Sequence, residues 1–431
     1  MNYAGLSLDQ TPPLSVPLRF FLTAPLFGIA AALLLLWAGP AALASRWTAP
    51  MLAAAHLMTL GFLTMVMFGA MLQLLPVLAG SPVPRPRLVS GLLHGLLAAG
   101  TVSLSAGLFS GGAGLMRAAT VLLALAVGLF VLVAAYCLRR SRSTHASVRT
   151  WGWALTGLAV AAGFGLHLAA GYGWGAGPYR ALTDAHMSWG LLGWMGVLVA
   201  GVAYQVVPMF QVTPDYPAPL MRWLGRTLFG LLVAWSLGQA VLFYGGLRAP
   251  VVLGGLLLAA GFGLFALVTL RLQQRRRRRI PDITLLFWRV GMISLLGAGA
   301  VWVLGQAFPG LGGVQAYGLM PGMLMIFGFG FSVINGMLYK IVPFLVWLHL
   351  HMRRFMGGKT GGRVPNMKEV IPERRTRNQF RVQMAALVLV LAAPWWPAVL
   401  LYPAALVFAL SCGMLWANLW GGVQVYRSAQ A

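Results

Sequence analysis

Residues 56–76 read HLMTLGFLTMVMFGAMLQLLP, and their framework returns twice more along the chain. Gly61-Phe62 is followed by Gly69 eight positions after the first glycine, Gln73 twelve after and Pro76 fifteen after. Residues 193–208, GWMGVLVAGVAYQVVP, repeat it with Gly193-Trp194, Gly201, Gln205 and Pro208. Residues 328–343, GFGFSVINGMLYKIVP, repeat it with Gly328-Phe329, Gly336, Lys340 and Pro343. The copies start 132 and then 135 residues apart. So long a period is neither a solenoid nor a propeller blade. It predicts a membrane bundle built from three related blocks of helices.

Composition sets the class. Hydrophobic residues make up 59% of the 431 and charged ones 9%, with a mean hydropathy of +0.81, whereas soluble domains carry about 25% charged residues. Apolar runs of about 20 residues are long enough to cross the hydrocarbon as helices. Twelve are read: 18–39, 49–79, 88–110, 114–138, 151–173, 184–210, 221–245, 249–272, 283–308, 316–347, 379–395 and 397–425. Continuous rather than alternating hydrophobicity excludes a membrane barrel. The chain reads as one all-helical transmembrane domain with blocks over about 18–138, 151–272 and 283–425. No cleaved signal peptide is expected, because no early Lys or Arg and no A-x-A site precede the first run.

The net charge of +25 raises nucleic-acid binding, and the distribution of the charges argues against it. Of 31 basic residues, 25 fall in the even-numbered loops and the termini, and four in the odd-numbered loops (Arg46, Arg117, Arg180 and Arg248). Arg289 and Lys340 lie inside helices. This is the positive-inside pattern, which predicts a bacterial inner-membrane protein with both termini cytoplasmic. The run Arg275–Arg279 is expected at anionic headgroups. Residues 352–378 read as a flexible basic cytoplasmic loop. Cys137 and Cys412 lie in different apolar runs and read as packing residues.

Six acidic residues exist, none of them deep in an apolar run. Ion-coupled transporters keep an ionisable acid inside the membrane, so that class is disfavoured. No GxxxxGK[ST], HExxH or GxSxG element is present, which leaves ATP-driven transport and the common hydrolytic chemistries without support.

Histidine carries the chemical interest. His56 opens the second run, His186 the sixth, and His167 lies near the external end of the fifth, all in the external third of the bundle. Neutral imidazole is a strong ligand for haem iron or copper. Counted back from the motif proline, Met323 is the gap-free counterpart of His56, and Met320 lies one turn before it. His94 reads as a packing residue, His145 as a solvated loop residue, and His349 and His351 as residues at the membrane surface. Methionines crowd the second and tenth runs; thioethers suit Cu(I), although core filling explains most of them.

The segments AHLMTLGF (55–62) and AHMSWGLLGW (185–194), with twelve helices in three blocks, resemble the catalytic subunit of haem-copper oxidases and nitric oxide reductases. They also resemble its degenerate relatives among bacterial nitric-oxide-stress membrane proteins. The resemblance implies a low-spin haem b with His56 as one axial ligand and Met323 as the donor from helix ten. It implies a copper or non-haem iron near His186, with Met320 as a further soft donor. The family's His pair on helix seven is missing from 221–245, and 316–347 contains no His, so a complete oxygen- or NO-reducing centre is not expected. The functional expectation is a haem- or copper-binding membrane protein in respiratory electron transfer or in the nitric oxide and oxygen response, working with a redox partner or respiratory complex. The alternatives are a transporter for copper or a small solute, and a cofactor-free assembly factor.

Overall fold

The computed structural model describes residues 7–175, 177, 179–277, 282–357 and 363–429. Arg278, Arg279 and the pair Gly361-Gly362 of the expected basic loops lie outside the described residues. Among those described, every regular element is helical. Twelve helices build the bundle. The first six are α1 (Ser15–Ala38), α2 (Ala49–Ala79), α3 (Pro86–Ser110), α4 (Ala113–Arg140), α5 (Ala146–Gly173) and α6 (Thr183–Gln211). The others are α7 (Ala218–Gly245), α8 (Ala249–Gln274), α9 (Ile283–Ala307), α10 (Gln315–Arg354), α11 (Glu373–Ala392) and α12 (Pro397–Ser428).

Eleven of these are long and apolar enough to cross a membrane, one fewer than the twelve apolar runs expected. The exception is α11, expected over 379–395. Its first turns read ERRTRNQ, and its polar side chains turn inward: Gln379 Nε2 donates to Ser411 Oγ at 3.1 Å, and Ser411 Oγ donates to Gln383 Oε1 at 2.7 Å. Asn366 and Glu369 form a capping box around a short helix, Met367–Val370, and Val370 and Ile371 are buried beside Gly422 of α12.

Hydrogen bonds tie the two ends of the bundle separately. At one end the N-terminal stretch meets the last turns of α2 and α10, through Ser7 N–H to Val77 O at 2.8 Å and His349 Nε2 to Pro12 O at 3.0 Å. At the other end Gln315 donates to Leu43 O and Arg117 to Gly173 O, both at 2.7 Å.

Helices α2, α6 and α10 form the centre. Their most apolar windows are 89%, 72% and 67% buried, against 22–44% for the other spans. Each contains an eight-residue π-helical segment: Leu57–Thr64, Trp189–Gly196 and Leu324–Phe331. The first motif glycine is the fifth residue of every segment, so the wider turn recurs at one register in all three. The second motif glycine lets the preceding helix approach. A Cβ on Gly69 would meet Phe20 at 2.8 Å, one on Gly201 Thr150 at 2.9 Å, and one on Gly336 Phe287 at 2.8 Å. Thus α2 packs on α1, α6 on α5 and α10 on α9 through the same residue of the motif. The three central helices also touch one another: Trp194 Nε1 donates to Thr64 Oγ1 at 3.2 Å, and the rings of Phe62 and Phe331 lie 4.5 Å apart.

The motif's long polar residue does not act alone on its own helix. Lys340 Nζ reaches Asp282, the N-cap of α9, at 2.8 Å. Gln205 hydrogen-bonds His145, the N-cap of α5. In both cases the side chain ties the start of the preceding helix to the motif. Gln73 makes no such tie, and its Oε1 is buried without a partner.

Candidate functional site

Where α2, α6 and α10 widen into their π turns, the bundle encloses a cavity of about 760 Å³ lined from all twelve helices. It occupies the half of the molecule that holds the odd-numbered loops, with Arg46, Trp47, Tyr172 and Asp184 at that end. Arg46 and Asp184 are joined across it by an ion pair at 2.7 Å. The volume falls within the range of about 300–1,000 Å³ found for small-molecule and cofactor pockets.

Two imidazoles enter this cavity from α2 and α6. His56 is the last residue before the π segment of α2, and His186 lies three before that of α6. Their planes are 15° apart and their centroids 6.1 Å apart. Each ring is held from behind: His56 Nδ1 donates to Leu52 O at 2.8 Å, one turn earlier, and His186 Nδ1 to Ala161 O of α5 at 2.9 Å. A carbonyl can only accept, so the Nδ1 atoms carry the protons. That leaves each Nε2 as the lone-pair nitrogen, and no protein group among the described residues bonds to either Nε2. Gly165 of α5 makes room for the second ring, since a Cβ there would lie 2.7 Å from His186 Cε1.

The remaining expected residues separate. Met323 is buried and lines the same cavity, but the ring opposite His56 belongs to His186. Met320 is buried among Leu43, Leu319, Ala393 and Leu401, and is not among the cavity residues. His167 lies on the exposed face of α5 and is likewise absent from the lining, because its neighbours Leu166 and Leu168 take the inner positions. Among the described residues no three His, Cys, Asp or Glu side chains come together as a metal site.

Other histidines serve the scaffold. His94 Nε2 pairs with Thr23 Oγ1 at 2.9 Å, and its ring meets Phe20 edge-on. His145 is half-buried rather than solvated: it caps α5 by accepting from Ser147 N–H at 3.3 Å. Burial pushes its pKa below the ordinary value of 6.5, against the opposing pull of Gln205 and Asp215.

Three features of the site carry no signal in the sequence. The carbonyl of Ala161, the space left by Gly165 and the Arg46–Asp184 bridge all depend on α5 or the first loop lying beside α6. No protein-family model matches the chain, and no curated protein matches it.

Proposed function

We propose that this chain is a membrane haem protein of respiratory type, with a low-spin haem b held between His56 and His186. The observation that carries the reading is the pair of near-parallel rings with centroids 6.1 Å apart. Two imidazoles bound to opposite faces of one metal, at about 2.0–2.1 Å per bond, place their ring centres about 6 Å apart. Both rings are held in the tautomer that presents Nε2, the second-shell device that orients ligating histidines. When bound, the haem supplies one-electron chemistry at a potential set by its axial ligands and surroundings. The protein's own contribution is to hold the two nitrogens, surround them with apolar side chains and close the external end with Arg46 and Asp184.

Two His ligands in place of the His–Met pair expected from the sequence lower the potential of such a centre, because an axial Met raises it. The role that follows is electron transfer, or a response to oxygen or nitric oxide, in a bacterial inner membrane. The basic residues of the even-numbered loops put both termini in the cytoplasm. Kinship with the haem-copper oxidase and nitric oxide reductase superfamily, through three related blocks, is part of this proposal. It is supported by the three π segments in one register and the three glycine contacts between paired helices.

A second reading has its own observation. Eight methionines line the cavity, among them Met58, Met195 and Met323, and thioethers with imidazole suit Cu(I). The same two nitrogens then hold copper. A visible spectrum and metal analysis of the purified membrane protein decide between them. A haem band with iron at one per chain supports the first reading; copper without a haem band supports the second. A colourless, metal-free protein from cells grown with haem and copper sinks both.

A further inference from the structure

Arg289 stands two turns inside α9, half-buried, and makes no ion pair or hydrogen bond among the described residues. Four of the six carboxylates are already committed: Asp184 to Arg46, Asp282 to Lys340, Glu369 to Arg363 and Glu373 to Arg377. An unpaired cation within a membrane span is costly, and such residues as a rule face a partner.

The register of α8 against α9 places a second cation beside it. These helices run antiparallel in contact, with Gly263 opposite Leu296 and Ala259 opposite Gly299, 3.7 and 3.6 Å from the glycine Cβ positions. Continued toward the start of α9, that register sets Arg289 level with Thr269 and Leu270, adjacent to Arg271. Arg271 is exposed and lies on the stripe of Leu264 and Leu267, themselves 50% and 47% exposed. One turn from Arg289 on α9 is Ile293, 61% exposed. The two residues therefore lie at one depth, Arg271 exposed and Arg289 half-buried, on helices whose axes pack about 8–10 Å apart. Among the described residues no carboxylate pairs with either.

We propose that the outward groove between α8 and α9, at the even-loop end, binds the phosphodiester headgroup of an anionic phospholipid through Arg271 and Arg289. A guanidinium fork matches phosphate oxygens two at a time, and basic pockets between membrane helices on the cytoplasmic side select anionic headgroups. The acyl chains lie along Leu264, Leu267 and Ile293. The site is independent of any group bound in the central cavity.

The test is titration of the detergent-purified full chain with phosphatidylglycerol or phosphatidylcholine, read by mass spectrometry of the intact complex and by the thermal midpoint. The expected result is preferential retention of phosphatidylglycerol and a raised midpoint. Both should be lost in the Arg271→Gln/Arg289→Gln double variant and kept in Arg140→Gln, an exposed control on α4. Should the double variant fail to fold, Arg271→Gln alone, at the helix end, is read and is expected to weaken retention several-fold. Equal retention of the two lipids, or unchanged retention in the variants, overturns the proposal. So does an equal midpoint rise with inorganic phosphate, which would make the groove an adventitious anion site rather than a lipid site.

Discussion

The imidazoles of His56 and His186 stand within 15° of parallel, their centroids 6.1 Å apart, and each is fixed from behind by a backbone carbonyl. Among the described residues neither ring meets any aromatic ring but the other, and neither Nε2 bonds to the protein. A purely structural histidine pair would be expected to use that second nitrogen, because buried polar groups are costly when unpaired.

This relationship separates ligand from bystander. His56→Ala and His186→Ala are each expected to abolish the bound-haem absorbance band of the purified protein. Met323→Leu should retain the band with at most a small shift, and His167→Ala should leave it unchanged. Loss of the band in Met323→Leu with retention in His186→Ala would restore the His–Met pairing expected from the sequence.

Gly165 tests the pocket behind the ring. Gly165→Ala places a methyl 2.7 Å from His186 Cε1, so the ring must move. Overpacking of this kind costs about 1–3 kcal/mol. The expected outcome is a weakened or shifted haem spectrum in a protein that still reaches the membrane and still retains His56 in place. An unaltered spectrum and an unaltered thermal midpoint together would remove His186 from the site.

Two of the contacts of Asp282 can be separated by substitution. It caps α9 by accepting from Leu285 N–H at 3.0 Å and it pairs with Lys340. Asp282→Ala removes both and is expected to cost about 1–2 kcal/mol, the scale of a lost cap with some ion-pair loss. Asp282→Asn keeps a good cap and should lose less. Equal losses in thermal unfolding would show that the cap contributes nothing.

His145 supplies a pH dependence whose sign is set by its burial. Its pKa in the fold lies below 6.5, so the unfolded chain takes up a proton first as pH falls. Its contribution is then complete above the ordinary histidine range and declines as pH drops below about 6.5. Acid lability between about pH 7 and 5 should be reduced in His145→Asn, which retains a capping side chain. A midpoint–pH curve identical to that of the unsubstituted protein would mean another group sets the lability.

Much of the scaffold can be read before any coordinate is known, and particular residues show why. The motif glycines mark the places where α2, α6 and α10 meet their preceding helices, since a missing Cβ is a local property of the sequence. The helix ends are equally local: Gly80, Gly111 and Gly246 take left-handed φ values of 61°, 72° and 69° at helix C-termini. Two readings differ in the structure. The helix expected over 379–395 runs Glu373–Ala392, too charged in its first turns to count among the candidate spans, and its Gln379 and Gln383 hydrogen-bond Ser411 on a neighbouring helix. His145 reads as a solvated loop residue and is half-buried, accepting from Ser147 N–H as the cap of α5.

The chain's apolar runs, its loop charges and its repeated motif determine a multi-pass helical bundle with three special helices, because hydrocarbon accepts only segments whose backbone bonds are satisfied within themselves. Which donor faces His56 was decided only in three dimensions. His56 and Met323 both stand five residues before their first motif glycine, so the shared π segments leave them equivalent, while His186 stands seven before its own and is held by the Ala161 carbonyl and the gap at Gly165 of α5. Counting along the sequence therefore paired His56 with Met323, whereas the packed helices put His186, two residues out of register, across from it.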